Sequence, residues 1–358
     1  MVSSVQGDRI AAIFHLKAIG NILTLCGPEA FQRQPLRNAF EAARATLLLA
    51  SLFSRKRTFL EDRRWQNAPY ALDPSATPQQ SHLLNILVTI PGFLQDIARI
   101  DEPTQDFDDR LVDSAVPHEK SVYQADLCTR IAAQLEKLYR WRWNWQCRFG
   151  QYVAIANPKR QPESPNSDFT NTPSGFSRLQ FDRATYADDI ALYNAILIWL
   201  LALVWKLQPF EATSIINECA QRATALSASS LSSLISSPSP AMAFEPLCHP
   251  GAVHSIRAPA IEICRVFEWK CRHYEQHDAS GNQTCLYLFP LGMARSALDA
   301  DPDWHSWIDS LLDSNPNTAS YGRNRGSVAG FSSYVTRHAL YPDTLRVPGK
   351  MYQAGDSC

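Results

Sequence analysis

Apolar residues recur at steps of three and four through most of the chain, which is the spacing that one face of an α-helix requires. The first two stripes comprise Ile10, Phe14, Ala18, Ile22 and Leu25, followed by Leu36, Phe40, Ala43, Leu47 and Ala50. Apolar–polar alternation of the kind that predicts a β-strand is scarce. The pattern therefore predicts an all-α fold in which about ten helices pack irregularly into a single domain.

The same pattern places the later helices and the breaks between them. Helices are predicted over 85–100, 128–150, 211–227, 256–274, 286–298 and 304–312. Because proline lacks the amide hydrogen that the preceding turn needs, the first of these should kink or restart at Pro91. Segments rich in Pro, Ser and Asn predict surface loops at about 157–175 and about 227–240. We expect one helical domain over 1–345 and a tail at 346–358.

The segment 184–207 is apolar nearly all round, which predicts a helix at the centre of the fold. Its longest apolar run, 190–205, is shorter than a bilayer span and contains Asn194. Arg9, His15 and Lys17 interrupt the N-terminal apolar pattern, so a signal peptide is not predicted. These observations favour a buried core helix and no membrane contact.

Composition and charge narrow the function classes. Hydrophobic residues make up 45% of the chain and charged residues 19%, which is typical of a folded globular protein. The net charge of −1 argues against a surface built mainly to bind nucleic acid. The nine scattered cysteines favour reduced thiols over a disulfide framework, and hence the nucleus or the cytoplasm.

The segment 25–69 resembles the C-terminal effector region of fungal zinc-cluster transcription factors. The residues that carry the resemblance are Gly27, Pro28, Glu29, Leu36, Phe40, Arg44, Leu48, Arg57, Phe59, Leu60, Trp65 and Pro69. The resemblance implies a helical regulatory body tied to a metabolic gene cluster. Such a body would act through protein partners or by sensing a small apolar metabolite.

The zinc cluster of that family is absent from this chain. It needs six cysteines in about thirty residues, with paired C-x2-C spacings, because two zinc ions share them. No two of the nine cysteines here are separated by only two residues, and Cys264, Cys271, His273 and His277 match no standard zinc spacing. We therefore expect no metal, no cofactor and no direct sequence-specific DNA binding.

Three aspartates are weak candidates for catalysis. Asp108 lies in a DFDD run that matches the acid motif of class II terpene cyclases, although its acidic surroundings favour a solvated loop. Asp188 and Asp189 could bind a cation, although carboxylates in a first helical turn also stabilise the helix dipole. We favour the solvated interpretation for all three.

Four further residues are candidates for lining a ligand pocket: Trp141, Trp145, Tyr193 and Asn194. Trp141 and Trp145 should face together on a helix while Trp143 points away. Two core tryptophans with arginines over their edges would give the same pattern without any ligand. Asn194 must find a hydrogen-bond partner in protein, water or ligand.

The sequence leaves three functional hypotheses open. The first is a transcription-regulator-like protein without its own DNA-binding module. The second is the same scaffold used as a cofactor-independent enzyme, a cyclase or isomerase acting on an apolar metabolite, for which a shaped apolar pocket with one or two acids would suffice. The third is an inactive remnant.

Overall fold

A computed structural model describes residues 2–74, 77–101, 116–156, 173, 176–231, 246–273 and 288–314. Its helices are α1 Val2–Cys26, α2 Leu36–Ser54, α3 Arg63–Asn67, α4 Gln79–Leu87, α5 Ile90–Asp101, α6 Val116–Phe149, α7 Ala184–Leu207, α8 Ala212–Leu231, α9 Arg257–Arg272, α10 Phe289–Ala297 and α11 Pro302–Ser314. Two short strands, β1 Val153–Ile155 and β2 Leu179–Phe181, pair antiparallel with Val153 opposite Phe181. The predicted all-α, multi-helix domain is confirmed.

The predicted break near Pro91 is present, because α4 ends at Leu87 and α5 begins at Ile90. The second predicted loop begins too early, since α8 continues through Leu231 and residues 227–231 are helical. Alanine, leucine and serine tolerate a helix well enough to extend it. The rest of both predicted loops, apart from residue 173, lies outside the described residues, as do the predicted domain end and the tail.

Helix α7 lies at the centre of the fold. It packs against α4, α6, α8, α9 and α10, and most of its side chains are buried. Because neighbouring helices cover so many of its sides, its apolar residues extend nearly all round the helix. The central position predicted from its sequence is confirmed.

Two helical segments, Gln79–Asp101 and Ala184–Leu207, are long and apolar enough to cross a membrane by length and composition. In the fold, 72% and 83% of their most apolar windows are buried. Core helices of globular proteins pass the same test, so this is weak evidence for a membrane span. The expectation of no membrane contact stays a prediction.

An N-terminal aromatic cluster of Phe31, Phe40, Phe59 and Trp65 contains three of the residues that carry the resemblance. Phe40 stacks on Phe31 at 5.4 Å and on Trp65 at 6.0 Å between ring centroids. The ring of Phe59 meets Trp65 edge-on at 4.9 Å. Gly27, with φ of 74°, turns the chain between α1 and this cluster in a conformation that other residues rarely adopt. The motif residues of this segment therefore build a packed substructure.

Asp96 of α5 joins this substructure to the rest of the fold. Its carboxylate is buried and accepts a hydrogen bond from Arg57 Nη2 at 2.9 Å and another from Arg130 Nη2 of α6 at 2.9 Å. Arg57 also pairs with Glu61 at 2.6 Å. Arg57, one of the two arginines of the resemblance motif, thus makes ion pairs that help to hold three parts of the chain together.

Helix α1 buries a different side from the one that its most regular apolar stripe marks. Phe14, Ile22 and Leu25 are exposed, whereas Leu23 is buried and Leu16 and Ile19 pack against the core. The helix is apolar on more than one side, so periodicity alone selects no single face.

Candidate functional site

Helices α6 and α7 meet through an aromatic layer. Trp141 and Trp145 lie one turn apart on α6 and stack at 6.4 Å, and Trp141 also stacks on Tyr193 of α7 at 5.8 Å. All three side chains are buried. The side chain of Trp143 points elsewhere and meets His249 edge-on at 5.1 Å. The predicted common orientation of Trp141 and Trp145 is confirmed.

Arg142 places a positive charge beside this layer. Its guanidinium carbon lies 5.2 Å from the ring centre of Trp145 and 5.8 Å from that of Tyr193. Its Nη1 donates a hydrogen bond to Gln146 Oε1 at 2.7 Å. Burial lowers the pKa of Arg142, and attraction to Glu262 opposes that effect. The guanidinium is held in the core by the faces of two aromatic rings.

Asp189 is the carboxylic acid of the site. It is only 5% exposed, and Trp145 Nε1 donates a hydrogen bond to its Oδ2 at 3.1 Å. Burial raises the pKa of Asp189 to about 7, against the lowering effect of that hydrogen bond. Near neutral pH the group can therefore release or take up a proton, as a general acid or base must.

The solvated interpretation of Asp189 is wrong, and its neighbour Asp188 differs from it. Helix α7 begins at Ala184, so both aspartates lie beyond the first turn, where the dipole effect is weak. Asp188 is partly exposed and forms an ion pair with Lys270 of α9. Asp189 lies about 100° further round the helix and points into the core.

Glu262 of α9 is a second buried carboxyl group, which the sequence analysis missed. The backbone N–H of Cys248 donates a hydrogen bond to its Oε1 at 3.3 Å. Burial raises the pKa of Glu262, while the charges of Arg142 and Arg265 lower it. Arg265 itself donates to the carbonyl oxygens of Ser177 at 2.6 Å and Pro246 at 3.1 Å. We call Tyr139, Arg142, Asp189, Tyr193 and Glu262 the buried polar centre.

A sequence signal for Glu262 does exist. Glu262, Arg265 and Glu268 recur at steps of three along α9 and form one polar stripe. Such a stripe usually faces solvent, but all three residues are buried here. Glu268 pairs with Arg178 at 3.1 Å and with Arg272 at 2.7 Å. The charged stripe is satisfied inside the protein by arginines from several segments.

Two polar groups in this region have no hydrogen-bond partner among the residues that the structure describes. They are the hydroxyl of Tyr139, which is 0% exposed, and both side-chain atoms of Asn194, which is 1% exposed. The partner expected for Asn194 is thus not found within the described fold. Leaving a buried polar atom unpaired costs about 1–3 kcal/mol.

Asp108 and His277 lie outside the described residues. Cys264 is fully buried on α9, where burial raises the pKa of its thiol. Within the described parts of the chain, no group of three or more His, Cys, Asp or Glu residues is placed to hold a metal ion.

Comparison of the chain with protein-family models, with curated protein sequences and with solved structures gave no match.

Proposed function

We propose that the chain is a small-molecule-responsive body of the fungal zinc-cluster regulator type, without its own DNA-reading module. The observation that carries this proposal is the buried polar centre between α6, α7 and α9. It would bind a small apolar metabolite and pass the signal to protein partners in the nucleus or cytoplasm. No cofactor is needed for this role.

The energetics of the centre favour a functional role. A buried ion pair or unpaired polar group is often no more stabilising than a well-packed apolar substitute. The centre contains a buried guanidinium, two buried carboxyl groups and an unpaired hydroxyl. Polar groups that are costly for folding are therefore candidates for a function. Aromatic walls with a few polar atoms are typical of small-molecule sites.

The substructure of the resemblance segment supports the regulator assignment in a different way. Phe40 and Phe59 both pack against Trp65, and Arg57 is paired with Asp96. The shared residues therefore maintain a scaffold, and a role in sensing would fall to the separate centre around Arg142. Resemblance in the scaffold implies nothing about the ligand.

Native mass spectrometry of the protein purified from fungal cells tests the proposal. We expect an additional small mass that denaturation releases from the wild type. Trp141→Ala should lose that mass because it removes one wall of the aromatic layer. Trp143→Ala is the matched control, since Trp143 points away from the layer. A wild-type protein without any released mass, or equal occupancy in Trp141→Ala, would contradict the proposal.

The second candidate function is a cofactor-independent cyclase or isomerase. The observation that favours it is Asp189, whose pKa burial raises to about 7 beside the rings of Trp145, Trp141 and Tyr193. The protonated carboxyl group would donate its proton to the substrate, and aromatic faces would stabilise the cation that forms.

Activity should then fall as the pH rises through about 7, and Asp189→Asn should bind substrate without turning it over. Turnover unchanged in Asp189→Asn would exclude this role.

A further inference from the structure

The hydroxyl of Tyr139 is a polar group of the centre that has no hydrogen-bond partner among the residues that the structure describes. Tyr139 lies on α6, one turn before Arg142, and its ring and hydroxyl are fully buried. A phenylalanine would fill the same space without an unpaired polar atom. The hydroxyl therefore needs an explanation beyond packing.

We infer that the region beside Tyr139 and Tyr193 binds the carbonyl oxygen of a neutral apolar molecule, with the Tyr139 hydroxyl as the hydrogen-bond donor. This inference rests on the proposed small-molecule site and names the chemical class of its ligand.

The neighbours of the hydroxyl favour an acceptor atom on the ligand. Arg142 offers only donors, and its charge beside Tyr193 attracts the negative end of a dipole. Glu262 also acts on Tyr193, and burial raises the pKa of its carboxyl group, which favours the protonated form that can donate a hydrogen bond. Burial raises the pKa of both Tyr139 and Tyr193, so each keeps its proton and can donate it to a hydrogen bond. On the side of α8, the Cys219 thiol already donates to the carbonyl oxygen of Ala132 at 3.4 Å. A carbonyl oxygen is complementary to this set of groups.

The rest of the layer sets the polarity of the molecule. The rings of Trp141, Trp145 and Tyr193 are buried apolar surroundings, which suit an apolar ligand. A charged ligand would have to lose its hydration in this core, and that loss is costly. The surroundings thus favour an uncharged ketone or a similar carbonyl compound.

Binding of 1-tetralone and of tetralin tests the inference, because the two molecules share a skeleton and differ by the ketone oxygen. Affinities would be measured by ligand-observed NMR and tryptophan fluorescence with the whole 358-residue chain. We expect the wild type to prefer 1-tetralone, and Tyr139→Phe to bind it at least tenfold more weakly while tetralin binding is unchanged. Tyr152→Phe is the matched control, since Tyr152 is partly exposed and stacks on Tyr186 away from Tyr139.

Several results would overturn the inference. One is equal binding of 1-tetralone by the wild type and Tyr139→Phe, and another is no preference of the wild type for 1-tetralone over tetralin. A Tm of Tyr139→Phe clearly below that of the wild type would show that the fold already uses the hydroxyl. If both probes bind equally and Trp141→Ala weakens both, the carbonyl inference fails while the small-molecule site stands. If neither probe binds and no mass is released from the purified protein, both fail.

Discussion

Asp188 and Asp189 are adjacent in sequence and have opposite environments. A step of one residue turns the side-chain direction by about 100° on a helix. That step takes Asp188 to the surface, where it pairs with Lys270, and Asp189 to the buried indole N–H of Trp145. The side of α7 that each aspartate occupies therefore decides whether its carboxyl group is buried with a raised pKa or forms an ion pair near the surface.

The stability of the protein should depend on pH through Asp189. Its folded-state pKa of about 7 lies above its ordinary value of 3.8, so the folded state binds the proton more tightly. The stability that this group provides is complete below about pH 4 and is lost as the pH rises through 7. Asp189→Asn removes this dependence. Relative to that variant, the wild type should lose on the order of 2 to 3 kcal/mol of unfolding free energy between pH 5 and pH 8.

Urea denaturation at several pH values measures this difference. Asp188→Asn is the comparison and should keep most of the pH dependence, because the charge of Asp188 contributes less to the raised pKa of Asp189 than burial does. If Asp189→Asn and Asp188→Asn differ from the wild type by amounts that do not change with pH, Asp189 is not the buried acid that we describe.

At the scale of elements, Asp96 connects α5 to α6 and to Arg57, which lies between α2 and α3. Asn at this position leaves two guanidinium groups without their shared carboxylate. Loss of one partner of a fully buried ion pair costs about 3–5 kcal/mol. Because Arg57 and Arg130 are 41% and 37% exposed, water compensates for part of the loss, and we expect Asp96→Asn to cost about 2 kcal/mol. Chemical denaturation of both proteins at constant pH measures the cost.

Asp101→Asn provides the comparison for that experiment. Asp101 pairs with Lys206 at 2.6 Å but is 56% exposed, so its loss should cost less than about 1 kcal/mol. Equal costs for the two substitutions would show that the ion pairs of Asp96 with Arg57 and Arg130 do not stabilise the contact between these elements.

Periodicity was sufficient to predict most of the helices because their apolar stripes are long, although α3 was not predicted and α6 begins at Val116 and not at 128. The break near Pro91 followed from the missing amide hydrogen of proline. Periodicity was insufficient wherever a helix could bury more than one side. The regular apolar stripe of α1 is partly exposed, whereas the charged stripe of α9, which includes Glu262, is buried. Tyr193 and the tryptophans were found because aromatic residues stand out at helical spacing, but the polarity of their surroundings depends on segments distant in sequence.

At the scale of the whole molecule, the purified protein should contain no stoichiometric zinc. The chain has no paired C-x2-C spacing, and the described residues place no set of ligands around one point. Structural zinc in proteins is held by four such ligands. Elemental analysis after gel filtration measures the metal content, and one tightly held zinc ion per chain would contradict the prediction.

The last prediction concerns the affinity of the chain for DNA, which zinc-cluster transcription factors bind through the module that this chain lacks. Affinity for DNA comes largely from cations that displace counterions from the phosphates, so it requires an excess of Lys and Arg on one surface. The chain has a net charge of −1, and Arg57, Arg130 and Arg222 are paired with carboxylates. Any binding to duplex DNA should therefore be weak and independent of sequence, and it should disappear between about 50 and 200 mM salt. Fluorescence anisotropy with two unrelated duplexes across that range measures it. Nanomolar binding to one duplex at physiological salt would require a DNA-reading surface in the chain, and the proposed action through protein partners would then be unnecessary.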